Sequence, residues 1–129
     1  MENKLAYTIT SEKPFEQVVK ALEEKTAENK FRVLHTHNVQ ATLEEKGFER
    51  APLKIIEVCN AGFANEALGK DLMVAMFMPC KFVVAEIDGK TSVTLVRPSM
   101  ISQMIPDSGL DELAQNVENT LRDIMEKSV

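Results

Sequence analysis

Only two of the 129 residues are cysteine, too few for the disulfide framework of a small secreted domain and in keeping with a reducing compartment. The five glycines and five prolines are dispersed. No linker or low-complexity tract divides the chain, so residues 1–129 read as one domain. No apolar run comes near the roughly 18 residues that a membrane-spanning helix needs, and the longest extends only from Leu72 to Pro79. The opening Met1-Glu2-Asn3-Lys4-Leu5 has no basic stretch leading into an apolar one, the pattern of a secretory signal. A soluble, cytoplasmic protein is expected. Positive charge is also short, with 15 Lys and Arg against 20 Asp and Glu and a net charge of −5. Phosphate backbones are held by clustered cations that release counterions, and here the cations are scattered among acidic neighbours. Nucleic acid and anionic membrane surfaces are therefore not expected as partners.

What is present is ordinary globular material, 44% hydrophobic and 27% charged, enough for a core without staples. Leu5, Tyr7 and Ile9 alternate with polar residues, so residues 4–10 read as a half-buried strand. Phe15, Val18, Val19 and Leu22 then fall at helical spacing, with Ser11 as the candidate cap and Pro14 in the first turn. A second strand is expected over 31–37, with Phe31, Val33, His35 and His37 on one face. Asn38 caps a short helix holding Val39 and Leu43, which Gly47 closes in the left-handed conformation. Residues 53–59 form a third strand, and Asn60 caps the alanine-rich helix after it. The Met-rich segment from Leu72 to Met78 reads as an irregular packed connection.

The strongest local signal is Asp88-Gly89 between two β-rich runs, a type I′ hairpin turn that sets Ile87 opposite Lys90. That register puts Val84–Val93, Phe82–Leu95 and Cys80–Arg97 on one face, the more apolar one and hence the core. Ser108 and Asp111 make a capping box before a helix over 110–127, whose stripe includes Leu113, Val117, Leu121 and Ile124. At 1.5 Å per residue that helix is about 27 Å long, enough to cross a small sheet. The fold class is α+β, with an antiparallel sheet and an N-terminal and a long C-terminal helix packed on one face.

The runs Ile56-Glu57-Val58-Cys59-Asn60 and Pro79-Cys80-Lys81-Phe82-Val83-Val84, with Asn38 and Gly47-Phe48, resemble the domain-of-unknown-function family numbered 302. The resemblance covers residues 31–100 and, less distinctively, both ends. Ala61 stands where proline is commoner after the Cys-Asn pair, and Met78 where leucine usually precedes Pro-Cys. The resemblance implies a TATA-binding-protein-like arrangement, a curved antiparallel sheet under a long terminal helix. It also implies small, dimeric or self-associating prokaryotic proteins, and no established activity. Analogy to a DNA-binding saddle is a weak warrant, and the acidic charge argues against it.

The candidate site residues are Cys59, Cys80, Glu57, Asn60 and Arg97. Cys59 ends one strand and Cys80 begins the next, which brings both thiols to one end of the sheet if the strands are neighbours. They are either a reactive pair or two small buried hydrophobes. Arg97, across from Cys80, would favour its thiolate, whereas Glu57, two residues from Cys59 on the same face, would oppose the thiolate there. Glu57 itself is either a general base beside core residues or one half of an ion pair. Met73, Met76, Met78, Met100 and Met104 could hold Cu(I), but more often supply adaptable packing. His35 and His37 are two ligands where a closed metal site needs four. No motif names a metal or a cofactor, and phosphate-loop, dinucleotide and nucleophile-elbow patterns are absent. Two functions fit: a homodimeric binding or interaction module with a small-molecule pocket near Cys59, Cys80 and Met73–Met78, or a thiol-dependent redox sensor or enzyme using Cys80. The dimer is expected because Leu72–Met78 is too apolar for a domain of this size to bury alone.

Overall fold

In the computed structural model, which describes residues 1–129, Asp88 and Gly89 both adopt positive φ, 51° and 78°. A type I′ turn needs that geometry at both central positions, and Gly meets it at no steric cost. The turn joins β4 (Cys80–Ile87) to β5 (Lys90–Val96) in the predicted register, from Ile87 opposite Lys90 back to Phe82 opposite Leu95. β1 (Ala6–Ser11) flanks β5, while β3 (Leu53–Cys59) and β2 (Arg32–Asn38) extend the sheet beyond β4. The order is β1-β5-β4-β3-β2 and every pair is antiparallel.

Two helices cover one face of this sheet. α1 (Phe15–Glu28) contributes Val18 and Leu22, and α5 (Asp111–Ser128) contributes Leu121, Ile124 and Met125. They close over Ile56, Val58, Phe82, Val84, Val93 and Leu95, none of which retains any exposure. Burying a side chain of this size stabilises the fold by roughly 1.5–3 kcal/mol, so this layer dominates the energetics. The opposite face is open, and carries only α2 (Val39–Glu44), packed beside β3.

The structure corrects several local expectations. The ladder between β2 and β3 slips between Val33 and His35, leaving Leu34 as a bulge. Val33, opposite buried Val58, therefore faces the core, whereas His35 and His37 lie opposite Glu57 and Ile55 on the open face. The histidines do not share a face with Val33. β1 starts at Ala6 rather than Lys4, because the Asn3 side chain accepts from the amides of Leu5 and Ala6 and makes a turn there. Pro14, not Ser11, occupies the cap position of α1, and Ser11 is the last residue of β1. No side chain caps α5; the Ser108 hydroxyl is buried without a hydrogen-bond partner.

The segment expected to be irregular is a 3₁₀ helix, Leu72–Phe77, that buries only Val74. It follows α3 (Ala61–Lys70), and a short helix α4 (Met100–Met104), not foreseen from the sequence, precedes α5. A second, smaller apolar layer forms where these pieces meet the start of α5. There Val74, Leu110 and Leu113 pack with Phe63, Leu68, Met78 and Ile101. It sits at the end of the sheet where β3 stops and β4 starts.

Candidate functional site

Val58 pairs with Cys80 across β3 and β4, so Cys59 and Cys80 fall at the same end of neighbouring strands. Between them the chain makes an excursion through α3 and the 3₁₀ helix and returns by a cis Met78–Pro79 peptide. The excursion and α5 enclose a narrow crevice of about 70 Å³ that opens to solvent at its mouth. Of its 18 lining residues 15 are hydrophobic, and the rest are Pro79, Pro98 and Asn60. Phe31 and Phe63 form one wall, their rings tilted with centroids 6.1 Å apart.

Asn60 is the one amide side chain in the lining, and both its polar atoms are engaged. Its Oδ1 accepts from the Phe63 amide at 3.0 Å, capping α3, and its Nδ2 donates to the Lys30 carbonyl at 3.1 Å. Beyond Asn60 and the two thiols the lining offers no hydrogen-bonding side chain. What it can do chemically is exclude water and hold apolar surface.

Three of the five candidate residues, Cys59, Asn60 and Cys80, line this crevice with Val74, Phe77 and Met78 of the Met-rich segment. Met73 and Met76 instead point outward, 54% and 74% exposed. Glu57 is elsewhere. It lies on the open face rather than beside core residues, where its Oε1 is 2.9 Å from His37 Nε2 and Lys81 is its cross-strand neighbour. His35 and His37 stack edge to face there at 4.3 Å, and no group of three or more His, Cys, Asp or Glu side chains is arranged to hold a metal ion.

Arg97 does not activate Cys80. The residue lines a neighbouring cleft together with Cys80, but its Nε donates to Glu118 Oε2 at 3.0 Å and an Nη donates to the Asn3 carbonyl at 2.9 Å. Glu2 completes its neutralisation at 3.5 Å. With that charge committed, burial decides the thiol. Desolvation, then repulsion from Cys59, push the Cys80 pKa up to about 11, with Lys81 pulling weakly the other way.

The group that sequence reasoning missed is Glu118, a carboxylate with no exposure at all. It accepts from the Ser99 hydroxyl at 2.6 Å, the Ser99 amide at 3.1 Å, Arg97 at 3.0 Å and Arg122 at 3.3 Å. Burial alone would raise its pKa, but the Ser99 hydrogen bonds and the Arg97 guanidinium outweigh that and hold it below the usual carboxylate range. Arg122 in turn lies over the Tyr7 ring at 3.9 Å and pairs with Glu2. This network fixes the segment that supplies Pro98 to the crevice. The sequence signal for it was a charge inside an apolar stripe, at 118 between Ala114 and Leu121.

Fold and site together define a small open-faced α+β domain, with helices on one side of a five-stranded antiparallel sheet and an apolar crevice at its end. The chain belongs to DUF302, a domain of unknown function, whose family model matches residues 7–128. It is similar to an uncharacterised conserved DUF302 protein from Bacillus stearothermophilus, known from a crystal structure. The two are 32% identical, with a TM-score of 0.91, over 97% of this chain and 98% of that one. A comparison with curated proteins finds no match.

Proposed function

We propose that this protein is a cytoplasmic, homodimeric binding module that holds a small apolar molecule in the crevice beside Cys59 and Cys80. The observation that carries the reading is the lining itself, 15 hydrophobic residues of 18, with Asn60 bonded to the backbone through both its polar atoms. Sites that take small ligands are concave and mostly apolar. Flexible thioethers such as Met78 let such a wall adapt to its guest. The thiol-dependent alternative is opposed by the burial that raises Cys80 to about 11, since the thiolate is the nucleophile. Self-association is supported by the 3₁₀ helix, which presents Leu72, Met73 and Met76 to solvent at 77%, 54% and 74% exposure.

Titration with a neutral apolar fluorophore such as N-phenylnaphthylamine tests the crevice. Saturable binding at one dye per chain is expected, and Ala67→Phe, which fills the lining, should abolish it. Dye binding that ignores Ala67→Phe refutes the assignment. Light scattering at micromolar concentration should give twice the 14.4 kDa of one chain, and a monomer only would remove the dimer.

A further inference from the structure

We propose that the natural ligand is an anionic amphiphile, an alkyl chain in the apolar crevice with its carboxylate on Lys81 in the adjoining cleft. The inference rests on the binding reading above and names the ligand class for the same site.

The two cavities adjoin along a shared apolar neck. Phe77, Met78, Pro79, Cys80, Pro98 and Ile101 line both. Two of these six are prolines, which have no N–H to donate, so no amide at those positions interrupts the apolar neck. Beyond the neck the lining changes character. The cleft adds Lys81 and Arg97, two cations and no carboxylate, where the crevice has neither.

The two cations are not equivalent. Arg97 is neutralised by Glu118 and Glu2 and bonded to the Asn3 carbonyl. Lys81 is exposed and forms no ion pair. Its cross-strand neighbour Glu57, which shares with it a groove beside α2, is within hydrogen-bond distance of His37 instead. On the cleft side Lys81 is thus the one cation without an ion pair, on a chain whose net charge is −5. A single-chain amphiphile with a negative head matches both halves. A cationic head would meet Lys81 as a like charge, and a purely apolar molecule would leave the cation unused.

The experiment compares decanoate, decanol and decyltrimethylammonium by calorimetry on the full chain, with Lys81→Gln, Lys81→Glu and Ala67→Phe variants. Decanoate should bind up to about fivefold tighter than decanol, the range for an exposed charge pair, and lose that margin in high salt. Lys81→Gln should erase the margin and leave decanol unchanged. Lys81→Glu should invert the order of decanoate and decyltrimethylammonium, and Ala67→Phe should weaken all three. Equal binding of decanoate and decanol, indifferent to Lys81→Gln, overturns the headgroup assignment while the crevice reading stands. No binding of any of the three overturns both. The Lys81 variants change an exposed side chain, so folding is not at issue in the decisive comparison.

Discussion

Alkylation of Cys80 measures how dry the crevice is. The thiol is pushed from 9.0 to about 11, chiefly by burial and next by Cys59. Two pKa units lower the thiolate fraction at pH 7 by about 100-fold relative to the unfolded chain. A more basic thiolate is intrinsically more nucleophilic, with a Brønsted slope of about 0.4–0.5, and this returns about eightfold of the loss. The net expectation is a native rate at least about tenfold below the unfolded one, before steric shielding adds to it. Trypsin cuts after Lys54, Lys70 and Lys81, so Cys59 and Cys80 fall in separate peptides and each rate can be read by mass. Iodoacetamide pulses in native buffer and in denaturant, at pH 7, give the two rates.

Two variants test the cause. Arg97→Gln should leave the Cys80 rate unchanged, because Glu118 and Glu2 already cancel that charge. Lys81→Gln should slow it further, because Lys81 is the one group that lowers the pKa. Native Cys80 labelling as fast as the unfolded control, or a clear loss of rate in Arg97→Gln, refutes the reasoning and revives the thiol-dependent alternative.

Glu118→Gln should cost about 3 kcal/mol in denaturant unfolding, the low end for breaking a buried pair, because both guanidiniums keep some contact with water. A loss below about 1 kcal/mol would show the network to be incidental. Phe82→Ala should cost about 3–5 kcal/mol, since the ring is wholly buried at the centre of the sheet. Stability should fall at both ends of the pH scale. The depressed Glu118 contributes above about pH 4.5 and loses its contribution as pH falls below that. The raised Cys80 contributes below pH 9.0 and loses up to about 3 kcal/mol as pH climbs through 11, so Cys80→Ala should flatten the alkaline limb alone. Fluorescence anisotropy with labelled duplex DNA should show no complex at micromolar protein near physiological salt, because no cationic track exists to release counterions.

Features with a local cause were legible in the sequence. Asp88-Gly89 determines its own turn, and the turn determines the register from Ile87–Lys90 back to Phe82–Leu95, where the ladder ends short of the expected Cys80–Arg97 pair. Asn38 and Asn60 cap their helices by accepting from amides only three residues on, at 2.9 and 3.0 Å. Features with a distant cause were not. The bulge at Leu34 depends on how β2 settles against β3, and alternation alone carries His35 to the wrong face. Arg97 lines one cleft with Cys80, but its partner Glu118 lies 21 residues further on, in a helix packed from above. Nothing within the hairpin announces that partner.

The same distinction explains why the crevice is where it is. β3 and β4 are neighbours, so the 20 residues between Cys59 and Cys80 must leave the sheet and return to the same end. Too short to form another layer over the core, they cover only its edge with α3 and the 3₁₀ helix, leaving the gap toward α5 that Phe63, Val74 and Met78 line. On the far side the wall is set by Pro98, next to a serine that Glu118 holds through both its amide and its hydroxyl. Satisfying one buried carboxylate thereby fixes the position of an apolar wall. A hydrophobic residue at 118 would pack at least as well in α5 by burial alone, but it would leave the Ser99 amide without its acceptor and take one carboxylate from each of two arginines. The charge inside the helix stripe is thus tied to the shape of the crevice, and through it to whatever the crevice holds.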